Sequence, residues 1–132
     1  MLETLQVTTP DRNATIDITD LIARKVEESG IKSGMCFASV MHTTAGITIN
    51  EGADPAVLED VEGVLEGLVP LRGGYKHMEG NSAAHIKSIL VGNGVQIIIE
   101  NGRLLLGTWQ SIFLMEFDGP RTRKIRIKIL GD

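Results

Sequence analysis

Aromatic side chains account for only 4% of this 132-residue chain, so Ile, Val and Leu must build its core. Cysteine is almost absent. Cys36 stands alone, which excludes an intrachain disulfide, and its place in the apolar run "MCFASVM" reads as a small buried hydrophobe rather than a nucleophile. There is no excess of positive charge. Thirteen Lys and Arg against seventeen Asp and Glu give a net charge of −4 with the signs interspersed, which argues against the basic face of a nucleic-acid binder. A small anionic substrate stays open, because Arg and Lys can gather locally. Long apolar runs are missing too. No stretch approaches the ~18 residues needed to span a bilayer, and "MLETLQVTTPDR" has neither a basic start nor an apolar core like that of a signal peptide. The expectation is a cytoplasmic protein that meets neither membrane nor nucleic acid.

No repeat, low-complexity tract or linker divides the chain, so residues 1–132 are expected to form one domain. A domain of this size hides roughly two-thirds of its unfolded surface and needs no disulfide staple. An opening strand at Thr4–Thr9 and a second in "TIDIT" precede a helix in "ITDLIARKVEESG". Thr19 or Asp20 caps that helix, Leu21, Ile22 and Val26 share a face, and Gly30 ends it. Strands at Met35–Met41 and Gly46–Asn50 lead to a second helix with Asp54 as N-cap and Pro55 at its first position. Leu58, Val61, Leu65 and Leu68 make its apolar face. A third helix starts at Asn81 or Ser82 and runs to Val91, with Ala83, Ile86 and Leu90 on one side. Asn101-Gly102 turns "VQIIIE" into one long strand, "RLLLGTWQSIFLMEF". In the last strand Ile125, Ile127 and Ile129 alternate with Lys124, Arg126 and Lys128, leaving one face wet. The pattern is α+β, with about three helices on a mixed, largely antiparallel sheet.

The polar residues cluster. "YKHMEGNSAAHIKS" carries His77 and His85 with Glu79 and Asn81 between them, and "HTTAGITINE" opens on the third histidine, His42. Each is open to a plain reading: a solvated loop residue for His77, a hydrogen-bonded boundary residue for His85. Their spacing is not the i, i+4 pair that sets two imidazoles on one helical face. Three imidazoles could nonetheless hold zinc and leave a fourth position for water or substrate, with Glu79 as proton acceptor or outer partner. Asp54 reads first as a helix cap. Thr43 and Thr44 suit a phosphate or a strand end, and Asn50 and Glu51 offer further polar groups. Lys76, Lys87 and Arg121 are candidates for an anion, Arg121 through bidentate recognition after the "DGP" turn. Trp109 reads as core. Gln110 would be a buried amide in need of partners, lining a pocket or a subunit contact.

"HTTAGITINEGADPAVLED", "YKHMEGNSAAHIKSILVG" and "NGRLLLGTWQSIFLMEFDGPRTR" together resemble the YjbQ family in order and spacing, over nearly the whole chain. The resemblance implies an α+β subunit assembled as a homotrimer with pockets near subunit boundaries. It places His42, His77 and His85 at positions associated with a bound metal, zinc by ligand type, with Asn50, Asp54, Glu79, Asn81, Gln110 and Arg121 as neighbours. It further implies a secondary thiamine-phosphate synthase activity, joining hydroxymethylpyrimidine diphosphate to thiazole phosphate and releasing pyrophosphate. In that reaction a divalent metal, Arg121 and Lys76 or Lys87 would stabilise the leaving group, while His85, Glu79 and Asn81 orient the pyrimidine or shuttle a proton. Diphosphate departure more often uses magnesium than histidine-bound zinc. The alternatives are a metal-dependent hydrolase or lyase acting on another small phosphorylated metabolite, and a non-catalytic module that binds one.

Overall fold

The computed structural model describes residues 1–132, which form β1 (Leu2–Thr8), β2 (Ala14–Asp17), α1 (Thr19–Ser29), β3 (Gly34–Val40), β4 (Ala45–Glu51), α2 (Pro55–Leu68), α3 (Ser82–Val91), β5 (Gly94–Glu100), β6 (Arg103–Leu104), β7 (Gln110–Glu116) and β8 (Thr122–Gly131). The strands make a five-stranded sheet in the order β1-β8-β3-β5-β6 and a three-stranded sheet in the order β2-β7-β4. Every neighbouring pair is antiparallel. The α+β class is as expected from the sequence, with the strands divided between two sheets.

Side-chain alternation decides which faces meet. Ile125, Ile127 and Ile129 of β8 and Cys36, Ala38 and Val40 of β3 point inward, as do Ile97 and Ile99 of β5. They join Ala45, Ile47, Ile112 and Leu114 of the smaller sheet in one apolar cluster, to which α1 adds Ile22 and Val26. Burying each such side chain contributes about 1.5–3 kcal/mol, which lets aliphatic residues supply a core without aromatics. Cys36 is fully buried there, and burial pushes its thiol up to about 11. No helix is long and apolar enough to cross a membrane.

Local signals place the elements, with instructive departures. Asp54 caps α2 by accepting from the Ala56 N–H at 3.0 Å, with Pro55 beside it. Gly30 closes α1 at φ +71°, and Asn101 and Gly102 turn at φ +54° and +73°, the left-handed values a tight hairpin requires. At the start of α1, however, neither Thr19 nor Asp20 is the cap. Asp17 Oδ1 accepts from Thr19 N–H at 2.9 Å and Thr19 Oγ1 at 2.6 Å, while Thr19 Oγ1 accepts from Ile112 N–H at 2.8 Å and ties the helix to β7. The long strand expected after Asn101-Gly102 is two strands. β6 stays in the larger sheet, a turn held by Gln110 N–H on Gly107 O (3.1 Å) and Gly107 N–H on Gln110 Oε1 (2.8 Å) intervenes, and β7 enters the smaller one. That turn carries Trp109 into solvent, 64% exposed, rather than into the core.

The third helix faces inward on a different side from the one its apolar residues suggest. Ala83, Ala84, Lys87 and Ser88 are buried, whereas Ile86 and Leu90 are exposed. Small residues win because α3 lies hard against β4. Ser88 Oγ donates to Ala45 O at 2.7 Å, and a Cβ on Gly46 would stand 2.8 Å from Gly92 O and from Val91 Cγ1. Gly46→Ala is expected to lower the unfolding free energy by about 1–3 kcal/mol in urea titrations, the usual cost of forcing packed groups apart. An unchanged midpoint would contradict so close a seam.

Candidate functional site

The residue phase that buries Ile125 and Ile127 also buries Arg123, and the phase that buries Ile112 and Leu114 also buries Glu116. Two opposite charges thus arrive inside the protein on β7 and β8, where each needs the other. Arg123 Nε donates to Glu116 Oε1 at 2.8 Å and its Nη2 to Glu116 Oε2, a two-pronged pair. Thr9 Oγ1 (2.7 Å) and the backbone N–H groups of Phe117 (3.0 Å) and Asp118 (3.1 Å) donate to the same carboxylate. Arg123 Nη2 also donates to Thr44 Oγ1 at 2.9 Å and Thr44 O at 3.2 Å. Burial pushes Glu116 toward its acid form, but the hydrogen bonds from Arg123, the Asp118 backbone and Thr9, with the charge of Arg123, outweigh it and hold the carboxyl below its ordinary value.

His42 stands next to this pair, two residues beyond β3. Its Nε2 accepts from the Lys124 backbone N–H at 2.9 Å, so the neutral ring carries its proton on Nδ1. Burial first, then the Arg123 guanidinium with Arg121 and Lys124, lower its pKa, and Glu116 only partly opposes them. A lowered histidine pKa means that the unfolded chain takes up the proton more readily. His42 therefore removes no stability above its ordinary value of 6.5 and progressively more as pH falls below it.

Clefts flank α3. On one side His42, Thr43 and His85 line a recess of about 400 Å³ with Ser88 and Ile89. His85 also faces Lys76 and His77, and the His77 and His85 rings meet edge to face with centroids 5.4 Å apart. His77 Nε2 lies 3.9 Å from Glu79 Oε2. Beyond His77 a cleft of about 530 Å³ brings Arg12, Arg72, His77, Glu79, Asn81 and Asp118 together. Asn81 occupies the N-cap position of α3 without a side-chain cap bond. Its Nδ2 donates to Asp118 Oδ2 at 2.9 Å instead, and its Oδ1 is buried with no partner. His42, Thr43, Lys76, His77, Glu79, Asn81 and His85 are therefore strung along one contiguous surface, with His85 at the join.

Other residues expected at the site have different work. Asp54 is spent on its helix cap and Asn50 Oδ1 accepts from Glu51 N–H at 2.8 Å. These two and Gln110 line none of the three recesses around α3. Gln110 is exposed and closes its own turn, so it needs no buried partners. Arg121 is 54% exposed at its side chain and folds back on Asp118, through Nη2 to Oδ2 and Nε to the carbonyl, both near 3 Å. The arginines that reach the large cleft are Arg12 and Arg72, and the charge beneath the histidine recess is Arg123. None was singled out from the sequence, although Arg123 lies in the inward phase of "TRKIRIKIL" and Glu116 interrupts the apolar run "IFLMEF". A three-histidine zinc site does not fit this arrangement. The Nε2 lone pair of His42 is taken, and no group of three or more His, Cys, Asp or Glu side chains is disposed to hold a metal.

Residues 3–132 match the family described as UPF0047 protein YjbQ-like. The chain belongs to that family. It is 52% identical to a UPF0047 protein of Methanocaldococcus jannaschii over all of this chain and 96% of that one. It is 51% identical to YugU of Bacillus subtilis over 99% and 100% of the two chains. Among solved structures, an uncharacterized YjbQ/UPF0047 protein of Clostridium acetobutylicum superposes with a TM-score of 0.95 at 52% identity, covering 97% of this chain and 99% of that one. A YbjQ-like protein of unknown function from Sulfolobus solfataricus gives 0.95 at 36% identity, covering 100% and 97%. These comparisons overturn the expected function. The family and these relatives are described as uncharacterised or of unknown function, with neither thiamine-phosphate synthase activity nor metal binding behind them.

The buried pair yields a direct test. Arg123→Met leaves the Glu116 carboxylate without its partner and is expected to cost about 3–5 kcal/mol in guanidinium unfolding, while Glu116→Leu with Arg123→Met recovers much of that loss. A single variant as stable as the parent would show that the two charges do not depend on each other.

Proposed function

We propose that this protein binds a small phosphorylated metabolite in the cleft between Arg12, Arg72 and His77. The observation that carries the reading is the meeting of two arginines from distant segments in one cleft of about 530 Å³, neither guanidinium being paired with a carboxylate. Guanidinium groups recognise phosphate oxygens in pairs and keep their charge at any working pH. Asn81 lines the same cleft, and its Oδ1 is left without a hydrogen-bond partner there. His77 and Glu79 line the same cleft and are the side chains that would pass a proton to or from the bound molecule, which favours acid–base chemistry on it over passive storage.

A homotrimer is the assembly we propose. Val64 and Leu68 on α2 are exposed amid Glu59, Asp60 and Glu66, while Phe37, Ile98 and Leu130 are exposed on the larger sheet beside Lys124, Arg126 and Lys128. An acidic apolar helix and a basic apolar sheet suit a head-to-tail contact that closes into a ring. Sedimentation at three times the 14.3 kDa chain mass is expected, and a monomer would overturn the assembly.

Calorimetry with a panel of phosphate monoesters and their unphosphorylated counterparts tests the ligand. Binding is expected only for phosphorylated members, weakened roughly 10- to 100-fold by Arg12→Gln or Arg72→Gln, the worth of a hydrogen bond to a charged group. Equal binding of the unphosphorylated compounds, or no effect of either variant, would contradict the proposal.

A further inference from the structure

The opposite side of α3 from His85 carries a feature that neither phosphate recognition nor folding uses fully. Lys87 is only 4% exposed. It opens onto a separate cavity of about 290 Å³, walled by Asn13, Glu59, Glu62, Glu66 and Phe117. Its ammonium pairs with Glu66 Oε1 and lies 5.7 Å from the centre of the Phe117 ring. Glu66 Oε1 also accepts from Asn13 Nδ2 at 3.1 Å. Asn13 Oδ1 is buried and accepts from nothing. A structural lysine would more simply reach water, since long cationic side chains snorkel outward when they can. Here the amine is held inside beside a carboxylate that is itself half exposed, at 44% of its side chain.

We propose that Lys87 is a carbonyl-reactive amine that forms a reversible imine with a small, neutral hydroxy-aldehyde or hydroxy-ketone in this cavity. Lysine amines form imines with carbonyl compounds, and a carboxylate within hydrogen-bond reach of the ammonium can act as the base that frees its lone pair. Glu66 takes a proton from Nζ, and the freed lone pair forms a bond to the carbonyl carbon while the carbon–oxygen π pair moves to oxygen. Proton transfer from nitrogen to that oxygen gives the carbinolamine. Protonated Glu66 then returns its proton to the hydroxyl, water leaves, and the protonated imine remains opposite the restored carboxylate. One water is released and nothing is oxidised or reduced. The carboxylates of Glu59, Glu62 and Glu66 exclude an anionic carbonyl compound by like-charge repulsion. The Glu59 and Glu62 carboxylates on the cavity wall can accept from a ligand hydroxyl, which selects a hydroxy-carbonyl over a plain one.

The test is borohydride trapping on the intact protein with glycolaldehyde and with dihydroxyacetone, followed by peptide mass spectrometry at each lysine. Lys87 is expected to be reduced to the secondary amine at least about tenfold faster than exposed Lys76. Glu66→Gln should lower the Lys87 signal by about tenfold and leave that of Lys76 unchanged, as loss of a proton acceptor predicts. Because Lys87→Arg removes a buried amine and can disturb folding, the decisive reading is made on the wild-type chain. Labelling of Lys87 no faster than that of Lys76 would overturn the proposal, as would a Lys87 signal indifferent to Glu66→Gln.

Discussion

Two opposite charges placed in the core, Glu116 on β7 and Arg123 on β8, are the constraint on which much of the remaining arrangement depends. Neither is tolerable alone at 0% and 2% exposure, because an uncompensated buried charge costs several kcal/mol. Together they tie the smaller sheet to the larger one and recruit Thr9, Thr44 and the backbone after β7 as further partners. A pair of well-packed apolar residues could do the same packing more cheaply. What apolar residues could not do is place a fixed positive charge next to His42, where it adds to burial in lowering the ring's pKa while Glu116 partly opposes it.

The consequence reaches solvent through α3. Small residues on its inner side let the helix press on β4, which sets His85 between the His42 recess and the His77 ring, and Lys87 into its own cavity. One short helix thus serves two differently charged spaces. The larger cleft carries two arginines beside Glu79 and Asp118, and the arginines are the groups we propose for an anion, whereas the smaller cavity is walled by Glu59, Glu62 and Glu66. The three histidines suggest a single metal-centred site, and their rings are strung along adjoining recesses. Donor types alone say nothing about whether lone pairs converge, and His42 spends its Nε2 on the β8 backbone.

Much of the fold is legible in the sequence because its signals are local. Asp54-Pro55, Gly30 and Asn101-Gly102 act through neighbouring backbone groups, and the alternating isoleucines of β8 need only a period of two. What fails depends on distant partners. The inward side of α3 is chosen by Gly46 and Ala45 on another strand. Trp109 is carried outward by a turn that splits an apolar run between two sheets. Of the site, the His77–Glu79–Asn81–His85 grouping is visible because it lies within one short segment. Arg12 and Arg72 are not, since nothing in their local context tells that they share a cleft. Arg123 was readable in principle: extending the β8 alternation two residues back puts it inside, and a buried arginine implies a buried carboxylate.

The most direct measurement is heteronuclear NMR of the imidazole nitrogens across a pH titration. The account predicts that His42 is the Nδ1–H tautomer, with Nε2 accepting a hydrogen bond, and that it titrates below its ordinary value of 6.5. A His42 ring protonated on Nε2 when neutral, or a midpoint at or above 6.5, would contradict the claim that burial, the Arg123 guanidinium and the β8 backbone together set its state.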